Sequence, residues 1–205
     1  MQWVKNLFSR EYFVIYKDII TSKRTQKEIK FILNLIKELF ENKKIKILDL
    51  ACGYGRHSIP LAQKGFIVVG IDVSDYFLTL AKKTSQKLGL NNKVFFIKKD
   101  MRYLDFKESF DFVISMFTSF GYFNNEEENI KVLINVYNSL KSGGYFLLDL
   151  ENPFIWLNSF MRSSSKVKNN IILMKGVKEK DNYIITTKIY YNFLNDIVKL
   201  IWIKK

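Results

Sequence analysis

The sequence has one cysteine, two prolines and one histidine among 205 residues. A lone cysteine excludes an internal disulfide, and no second cysteine stands beside it as a metal ligand. No apolar run approaches the ~20 residues that a membrane span needs, and the first segment, "MQWVKNLFSREYF", carries charges where a signal peptide would be apolar. We therefore expect a soluble, cytoplasmic protein without a metal site and without a membrane contact.

Arginine is also scarce, although the net charge is +13. Only five of the 33 basic residues are arginines, and arginine is the side chain best suited to phosphates and base edges. The lysines are spread over most segments, beside many asparagines and isoleucines. A high positive charge is compatible with RNA binding, because bound cations release counterions from phosphates. We favour a lysine-rich composition as the explanation, so nucleic acid is not expected as a partner.

What the sequence does have is a regular alternation of strand-like and helical segments. With 48% hydrophobic residues, a chain of this length can bury one substantial core, which predicts a single domain. Residues 25–40 have helical spacing, and Thr25 with Glu28 is typical of a capping box. The segments that follow are strands at 45–50, 66–72, 93–100, 110–116 and 145–150, and helices at 56–65, 74–88 and 125–141.

Near-continuous apolar strands separated by helices predict a mostly parallel sheet that is covered on both faces. Right-handed crossovers then give an α/β fold with a Rossmann-like, doubly wound sheet behind N-terminal helices. After Pro153, strand-like pieces alternate with turn signals such as Asn195-Asp196. This change predicts a C-terminal antiparallel β meander.

Acidic residues end the first three predicted strands. Asp49 precedes a loop with Gly53 and Gly55, while Asp72 and Asp100 end the second and third strands. Ligands of doubly wound sheets bind outside the carboxyl ends of the strands, so these carboxylates should converge. Asp72 suits the hydroxyls of a ribose and Asp100 suits the amine of an adenine. Both would serve a dinucleotide as well.

The loop after Asp49 discriminates between the possible ligands. A dinucleotide site prefers G-x-G-x-x-G, whereas "GYGRHS" has serine in the third place and an acid that would repel a pyrophosphate. S-adenosylmethionine has no phosphate and carries an ammonium and a sulfonium, so a nearby acid favours it. Glycines would let the backbone approach such a ligand closely, because they lack Cβ.

The segment "ILDLACGYGRHSIPLAQKGFIVVGIDVS" resembles the first two motifs of the class I S-adenosylmethionine-dependent methyltransferases, with Ala51 in place of the first glycine of D-x-G-x-G-x-G. "FDFVISMFTSFGYF" and "LKSGGYFLLDLENP" are similar to the family's fourth and fifth strand regions. The N-terminal pattern "LF…EYF…Y…RTQKEI" is similar to a subgroup that often acts on sugars, antibiotics or other small metabolites. The resemblance extends over residues 3–155.

The resemblance implies that S-adenosyl-L-methionine is the cofactor and indicates which residues bind it. Asp49 would meet the methionine ammonium, Asp72 the ribose and Asp100 the adenine amine. Tyr16 and Arg24 would close over the methionine from the N-terminal helices. The full set of expected cofactor contacts is Asp49, Ala51, Gly53, Gly55, Asp72, Val73, Asp100, Met101, Met116, Phe117, Tyr16 and Arg24.

The implied function is methyl transfer to a small-molecule acceptor. The sulfonium is already activated, so the reaction needs mainly proximity and orientation, although an oxygen nucleophile would also need a base. His57, Glu11, Tyr122 and Glu151 are candidates for that base, and none is decisive, so the catalytic residue stays unassigned. Two alternatives remain open, namely an RNA-directed methyltransferase and a truncated, cofactor-binding remnant without turnover.

The single domain is expected to comprise a helical cap at 1–44, a cofactor-binding core at 45–152 and the meander, or lid, at 153–205. In the family the sheet continues beyond the fifth strand with a helix and a hairpin, whereas this chain ends at "LIWIKK". The fifth strand would then be an edge unless the meander or a second chain covers it. We expect a homodimer formed through the C-terminal strands.

Overall fold

The computed structural model describes residues 20–41, 43–123, 125–151, 183–186 and 197–204. No helix within these ranges is long and apolar enough to cross a membrane. The elements are α1 (Ser22–Phe40), β1 (Lys46–Leu50), α2 (Ser58–Gln63), β2 (Ile67–Asp72), α3 (Asp75–Lys87), β3 (Val94–Lys98), a 3₁₀ turn (Met101–Tyr103), β4 (Phe110–Ser115), α4 (Glu126–Ser139), β5 (Leu140–Glu151), β6 (Tyr183–Thr186) and β7 (Ile197–Lys204).

The seven strands form one sheet in the order β3-β2-β1-β4-β5-β7-β6. The first five strands are parallel, and β1 lies between β2 and β4. The winding reverses between β1 and β4, which is where a ligand site is expected in such sheets. The predicted α/β, doubly wound and mostly parallel fold is therefore confirmed.

Two buried clusters lie on the two faces of the sheet. Ile47 of β1 packs in a cluster with residues of α1, α2 and α3, whereas the next residue, Leu48, packs in a cluster with residues of α4. Successive strand residues point to opposite faces, so both sides of β1 are buried. This burial explains why the central strands are near-continuous apolar runs rather than alternating ones.

The C-terminal strands pair antiparallel within the same chain. β5 pairs with β7 along Tyr145–Glu151, and β7 pairs with β6. β5 is therefore covered by another strand of its own chain. The first strand-like piece of the predicted meander lies outside the described residues, so the meander as a whole stays a prediction, as does the homodimer.

The start of α1 differs from the predicted capping box. Thr21 is the N-cap residue, and its Oγ1 accepts a hydrogen bond from the amide of Arg24 at 3.2 Å. Thr25 lies inside the helix, and the buried Glu28 faces the site described below instead of the helix terminus. The prediction was wrong because residues three apart in a helix also share one face, and here that face is turned to the sheet.

The end of α4 differs as well. The helix ends at Ser139, whereas the sequence predicts it as far as 141, and Leu140 already pairs with Phe110 in the sheet. Leu140 is 2% exposed and belongs to the cluster on the α4 face. The register of this ladder shifts between Phe110 and Phe112, and Gly143 there has a φ of 75°. Because Leu140 is buried in the sheet, the helix ends before the Gly143-Gly144 pair that the sequence offers as its stop signal.

Gly55 provides a test of how the loop after β1 packs. Its φ is 80°, and a Cβ built there would lie 2.8 Å from the Phe96 ring. Replacement by alanine should cost about 1–2 kcal/mol for the left-handed backbone and about 1–3 kcal/mol for overpacking. Gly65, with a φ of 95° and no atom within 4 Å of such a Cβ, is the matched control. In urea unfolding we expect Gly55→Ala to lose at least about 1 kcal/mol more than Gly65→Ala; equal losses would contradict this packing.

Candidate functional site

A cavity opens at the carboxyl ends of the parallel strands. Nine of the twelve predicted cofactor contacts line it, namely Asp49, Ala51, Gly53, Asp72, Val73, Asp100, Met101, Met116 and Phe117. Gly55 does not, because its Cα packs against Phe96 in the core. Arg24 is also absent from the wall, and Tyr16 lies outside the described residues. The sheet thus brings together residues that are up to 68 positions apart in the chain, from Asp49 to Phe117.

Asp72 holds the loop between β1 and α2 against the end of β2. One carboxylate oxygen accepts a hydrogen bond from the amide of Gly53 at 2.8 Å, and the other accepts one from the amide of Ser74 at 2.8 Å. Asp72 is 8% exposed, and this burial raises its pKa. Each carboxylate oxygen has a second lone pair, so Asp72 can accept hydrogen bonds from ligand hydroxyls while it holds the loop.

The backbone of this loop is left-handed at Ala51, Gly53 and Gly55, with φ values of 53°, 56° and 80°. The amide of Cys52 also donates to the carbonyl of Ile71 at 2.9 Å, so a second hydrogen bond ties the loop to β2. Ala51 is strained in this conformation, which explains why glycine is usual at that position of the motif. A Cβ at Gly53 would meet no atom within 4 Å, so its backbone is open to a ligand.

Asp49 is the most deeply buried acid on the cavity wall. It is 1% exposed, and the hydroxyl of Ser58 donates to its carboxylate at 2.5 Å. Burial raises its pKa from 3.8 to about 7, and the Ser58 hydrogen bond and the charge of Arg56 oppose this rise. Near neutral pH the site is therefore ready to take up a cationic group, which would stabilise the charged carboxylate.

Glu28 of α1 links the N-terminal helix to the same loop. This carboxylate is 5% exposed and accepts hydrogen bonds from Arg24 Nε at 3.0 Å, from Arg56 Nη1, and from His57 Nε2 at 2.8 Å. Burial alone would raise its pKa, but the hydrogen bonds and charges of His57 and Arg56 outweigh burial and hold the pKa well below its usual range. Glu28 is thus ionised, and the sequence did not reveal Arg56 and His57 as its partners because they lie 28 and 29 residues away.

Two guanidinium groups lie close to the ring of Phe117, which follows the end of β4. The Cζ atoms of Arg24 and Arg56 are 4.7 and 5.1 Å from its ring centroid. Phe117 has a φ of 62°, and its amide donates to the carboxylate of Asp149 at 3.0 Å. Arg24 therefore reaches the site by covering Phe117, not by lining the cavity itself.

Asp100 lines the opposite part of the wall and is paired with a residue that the sequence did not single out. Arg102 Nη2 lies 2.6 Å from its carboxylate, and Arg102 Nη1 lies 2.7 Å from Glu128 of α4. The guanidinium also covers the ring of Phe123 at 4.6 Å. A ligand amine at Asp100 would therefore share this carboxylate with Arg102.

Comparison with known proteins assigns this architecture to a family. Residues 47–144 match the family model described as a methyltransferase domain, and this range contains the glycine loop and the ends of β1 to β4. This match supports the class I S-adenosylmethionine-dependent methyltransferases as the family to which residues 47–144 are similar. The family expected from the sequence motifs is thereby confirmed.

Two curated methyltransferases show how far the likeness extends. The chain is 40% identical over 108 residues to the ubiquinone/menaquinone biosynthesis C-methyltransferase UbiE of Wigglesworthia glossinidia brevipalpis. The aligned region covers 50% of this chain and 41% of that protein. It is 31% identical over 152 residues to the glycine/sarcosine N-methyltransferase of Parasynechococcus marenigrum (strain WH8102). That aligned region covers 71% of this chain and 52% of the relative. The chain spans about half, or less, of the length of these relatives.

The fold of this chain also matches solved structures. The magnesium protoporphyrin IX methyltransferase ChlM of Synechocystis PCC 6803, crystallised with bound SAH (S-adenosylhomocysteine), has a TM-score of 0.72 and 19% identity, covering 100% of this chain and 99% of that one. This likeness concerns the fold alone.

The raised pKa of Asp49 gives a prediction for the stability of the protein in the absence of ligand. The pKa of Asp49 is 3.8 in the unfolded chain and about 7 in the folded chain. At pH values between these two, the folded protein binds a proton at Asp49 that the unfolded chain does not bind. The free energy of unfolding should therefore fall, relative to Asp49→Asn, by up to about 1.4 kcal/mol per pH unit as the pH rises through this window. Above about pH 7 the difference should become constant, because Asp49 is then ionised in both states.

Asparagine is the matched variant because its side-chain oxygen can still accept the hydrogen bond of Ser58. Urea unfolding of both proteins at half-unit pH steps measures the difference, in which the titration of groups that do not interact with Asp49 cancels. A difference that is the same at every pH would show that Asp49 has an ordinary pKa in the folded chain.

Proposed function

We propose that this methyltransferase binds S-adenosylmethionine in the cavity and transfers its methyl group to a small-molecule acceptor. The observation that carries the proposal is the convergence of Asp49 and Asp72, both buried, on the open backbone of the Gly53 loop. Two acids favour a ligand with a cation and hydroxyl groups, and they disfavour one with a pyrophosphate. A nicotinamide dinucleotide is the competing ligand that this arrangement disfavours.

In this proposal the cofactor lies across the ends of the central strands. Asp72 accepts hydrogen bonds from the ribose hydroxyls, and Asp49 faces the methionine ammonium. Asp100 and Met101 flank the adenine, and Met116 borders the methyl group. The protein contributes chiefly by fixing donor and acceptor in line, since the sulfonium itself is the activated group.

The small-molecule acceptor is supported by the nature of the wall and by the relatives. Phe117, Tyr122 and Phe123 line the cavity beyond the end of β4, so an organic acceptor can bind against an aromatic surface. The names of two relatives refer to ubiquinone or menaquinone biosynthesis and to glycine or sarcosine, which are small molecules.

The cofactor assignment predicts a ligand-dependent rise in melting temperature. S-adenosylhomocysteine, the product of methyl transfer, should stabilise the protein in proportion to its affinity, whereas NAD should not. Differential scanning fluorimetry at a range of ligand concentrations measures both effects. Stabilisation by NAD alone would remove the methyltransferase assignment.

Asp72→Ala should weaken the binding of S-adenosylhomocysteine by about 10- to 150-fold in calorimetry, because ribose hydroxyls lose a charged partner worth about 1.5–3 kcal/mol. Asp75→Ala is the matched control, since Asp75 lies three residues further on, pairs with Lys98 and is not on the cavity wall. If both variants bind as the wild type does, the ribose does not lie at Asp72.

A further inference from the structure

Strand β3 has apolar side chains on both of its faces, and one of these faces is exposed. Val94 and Phe96 are buried, at 5% and 7% exposure, whereas Phe95 and Ile97 are 46% and 39% exposed. Successive strand residues point to opposite faces, so Phe95 and Ile97 lie on the same face. Apolar residues on both faces are typical of a strand that is covered on both sides, and here one cover is absent among the described residues.

The connection between β3 and β4 explains why this face is exposed. Residues 99–109 contain a 3₁₀ turn and no helix. On the same side of the sheet α4 packs over residues of β1, β4 and β5, and Val69 of β2 belongs to that cluster. Ile67, two residues before Val69 and therefore on the same face, is already 42% exposed. We call the apolar surface formed by Ile67, Phe95 and Ile97 the β3 patch.

The backbone of β3 can pair with a further strand. The carbonyl of Lys93 accepts a hydrogen bond from β2 at 2.8 Å, and the amide of Lys99 donates one to β2 at 3.0 Å. In a parallel ladder alternate residues bond to a given neighbour, so the amides and carbonyls of Phe96 and Lys98 point away from β2. β3 is the first strand in the order of the described sheet. An extended segment beside β3 would therefore find hydrogen-bond partners along this edge.

The charge around the β3 patch restricts what this segment can be. Between Asp75 and Asp100 the sequence has six lysines and no acidic residue. Lys98 and Lys99 pair with Asp75 and Asp105, whereas the other four form no ion pair within the described part of the chain, namely Lys82, Lys83, Lys87 and Lys93. Lys82 lies on the wall of a groove together with Phe95 and Ile97. Complementary charge therefore favours an acidic partner at this edge.

Two other occupants fit this edge less well. In an antiparallel pair of two copies with the two-fold axis at Phe96, Lys93 of each copy would lie opposite Lys99 of the other, and like charges in that position are destabilising. Nucleic acid would pair with the lysines, but it would leave the outward amides and carbonyls of β3 without the regular partners that a strand provides. The backbone and the charge together thus favour an acidic polypeptide.

We propose that the β3 patch and the free edge of β3 bind an extended segment of another protein in which apolar and acidic residues alternate. The apolar side chains of that segment lie beside Phe95 and Ile97, and its acidic side chains lie on the opposite face, towards Lys98 and the lysines of α3. The inference is independent of the proposed function, because no residue of the β3 patch lines the cavity.

The probe for this binding is the peptide Val-Glu-Val-Glu-Val-Glu-Val, acetylated, amidated and labelled with fluorescein. Fluorescence anisotropy should show that the wild type binds it and that salt weakens the binding, because exposed charges are screened. The same peptide with lysine in place of glutamate should bind at least about 10-fold more weakly. A fully N-methylated version keeps the side chains but donates no backbone hydrogen bond, so it should also lose about 10-fold or more.

Phe95→Ser should weaken binding of the glutamate peptide by about 10-fold or more, since it removes the aromatic side chain of the patch. Ile130→Ser is the matched control, because Ile130 is also 46% exposed but lies on α4, outside the patch. This variant should bind the peptide as the wild type does. Neither substitution removes a buried side chain, and unchanged melting temperatures would show that both variants are folded.

Four results would overturn the proposal. The first is no binding of the glutamate peptide by the wild type up to about 1 mM. The second is equal affinity of Phe95→Ser and Ile130→Ser, or of the plain and N-methylated peptides. The third is tighter binding of decauridylate than of the peptide, which would assign the lysines to nucleic acid. The fourth is a dimer in sedimentation that Phe95→Ser converts to a monomer, which would assign the edge to a second copy.

Discussion

The two hydrogen bonds that the amides of Gly53 and Ser74 donate to the carboxylate of Asp72 are the interaction on which the site depends. They join the end of β2 to the loop that leaves β1 and to the start of α3. That loop contains left-handed backbone at Ala51, which costs energy and needs external support. The open backbone at Gly53 is available to a ligand because Asp72 holds it there.

The electrostatics of the rest of the site depend on two buried carboxylates, Glu28 and Asp49. Glu28 is buried as an ion because three basic side chains surround it, whereas Asp49 is buried with a single hydroxyl donor and has a raised pKa. The first carboxylate is satisfied within the protein and fixes α1 to the loop. The second has fewer partners within the protein and gains further stabilisation when a cation binds, so the difference in partners separates a structural acid from a ligand-binding one.

The network around Glu28 extends beyond the range that matches the family model. The matched range, residues 47–144, covers the loop and the strand ends but not α1. The network of Glu28 with Arg56 and His57 therefore crosses the boundary of that range. It joins the N-terminal helix to the cavity region through Glu28, a residue that the resemblance in sequence did not assign to the site.

The sequence by itself determined the sheet and the acids at its edge. Apolar runs in strands buried on both faces are a strong signal, and the ends of β1, β2 and β3 follow directly from them.

Only the tertiary structure decided the partners of those residues. Thr25 and Glu28 have the spacing of a capping box, yet Glu28 binds Arg56 and His57 across a gap in sequence that no local pattern spans. Gly55 belongs to a ligand motif, yet the space beside it is filled by Phe96 of a strand two positions away in the sheet. Leu140 follows a helical pattern, yet it leaves the helix because the core beside Phe110 buries it. Local patterns predict which elements form because they depend on neighbouring residues, whereas hydrogen-bond partners and packing depend on where the elements meet.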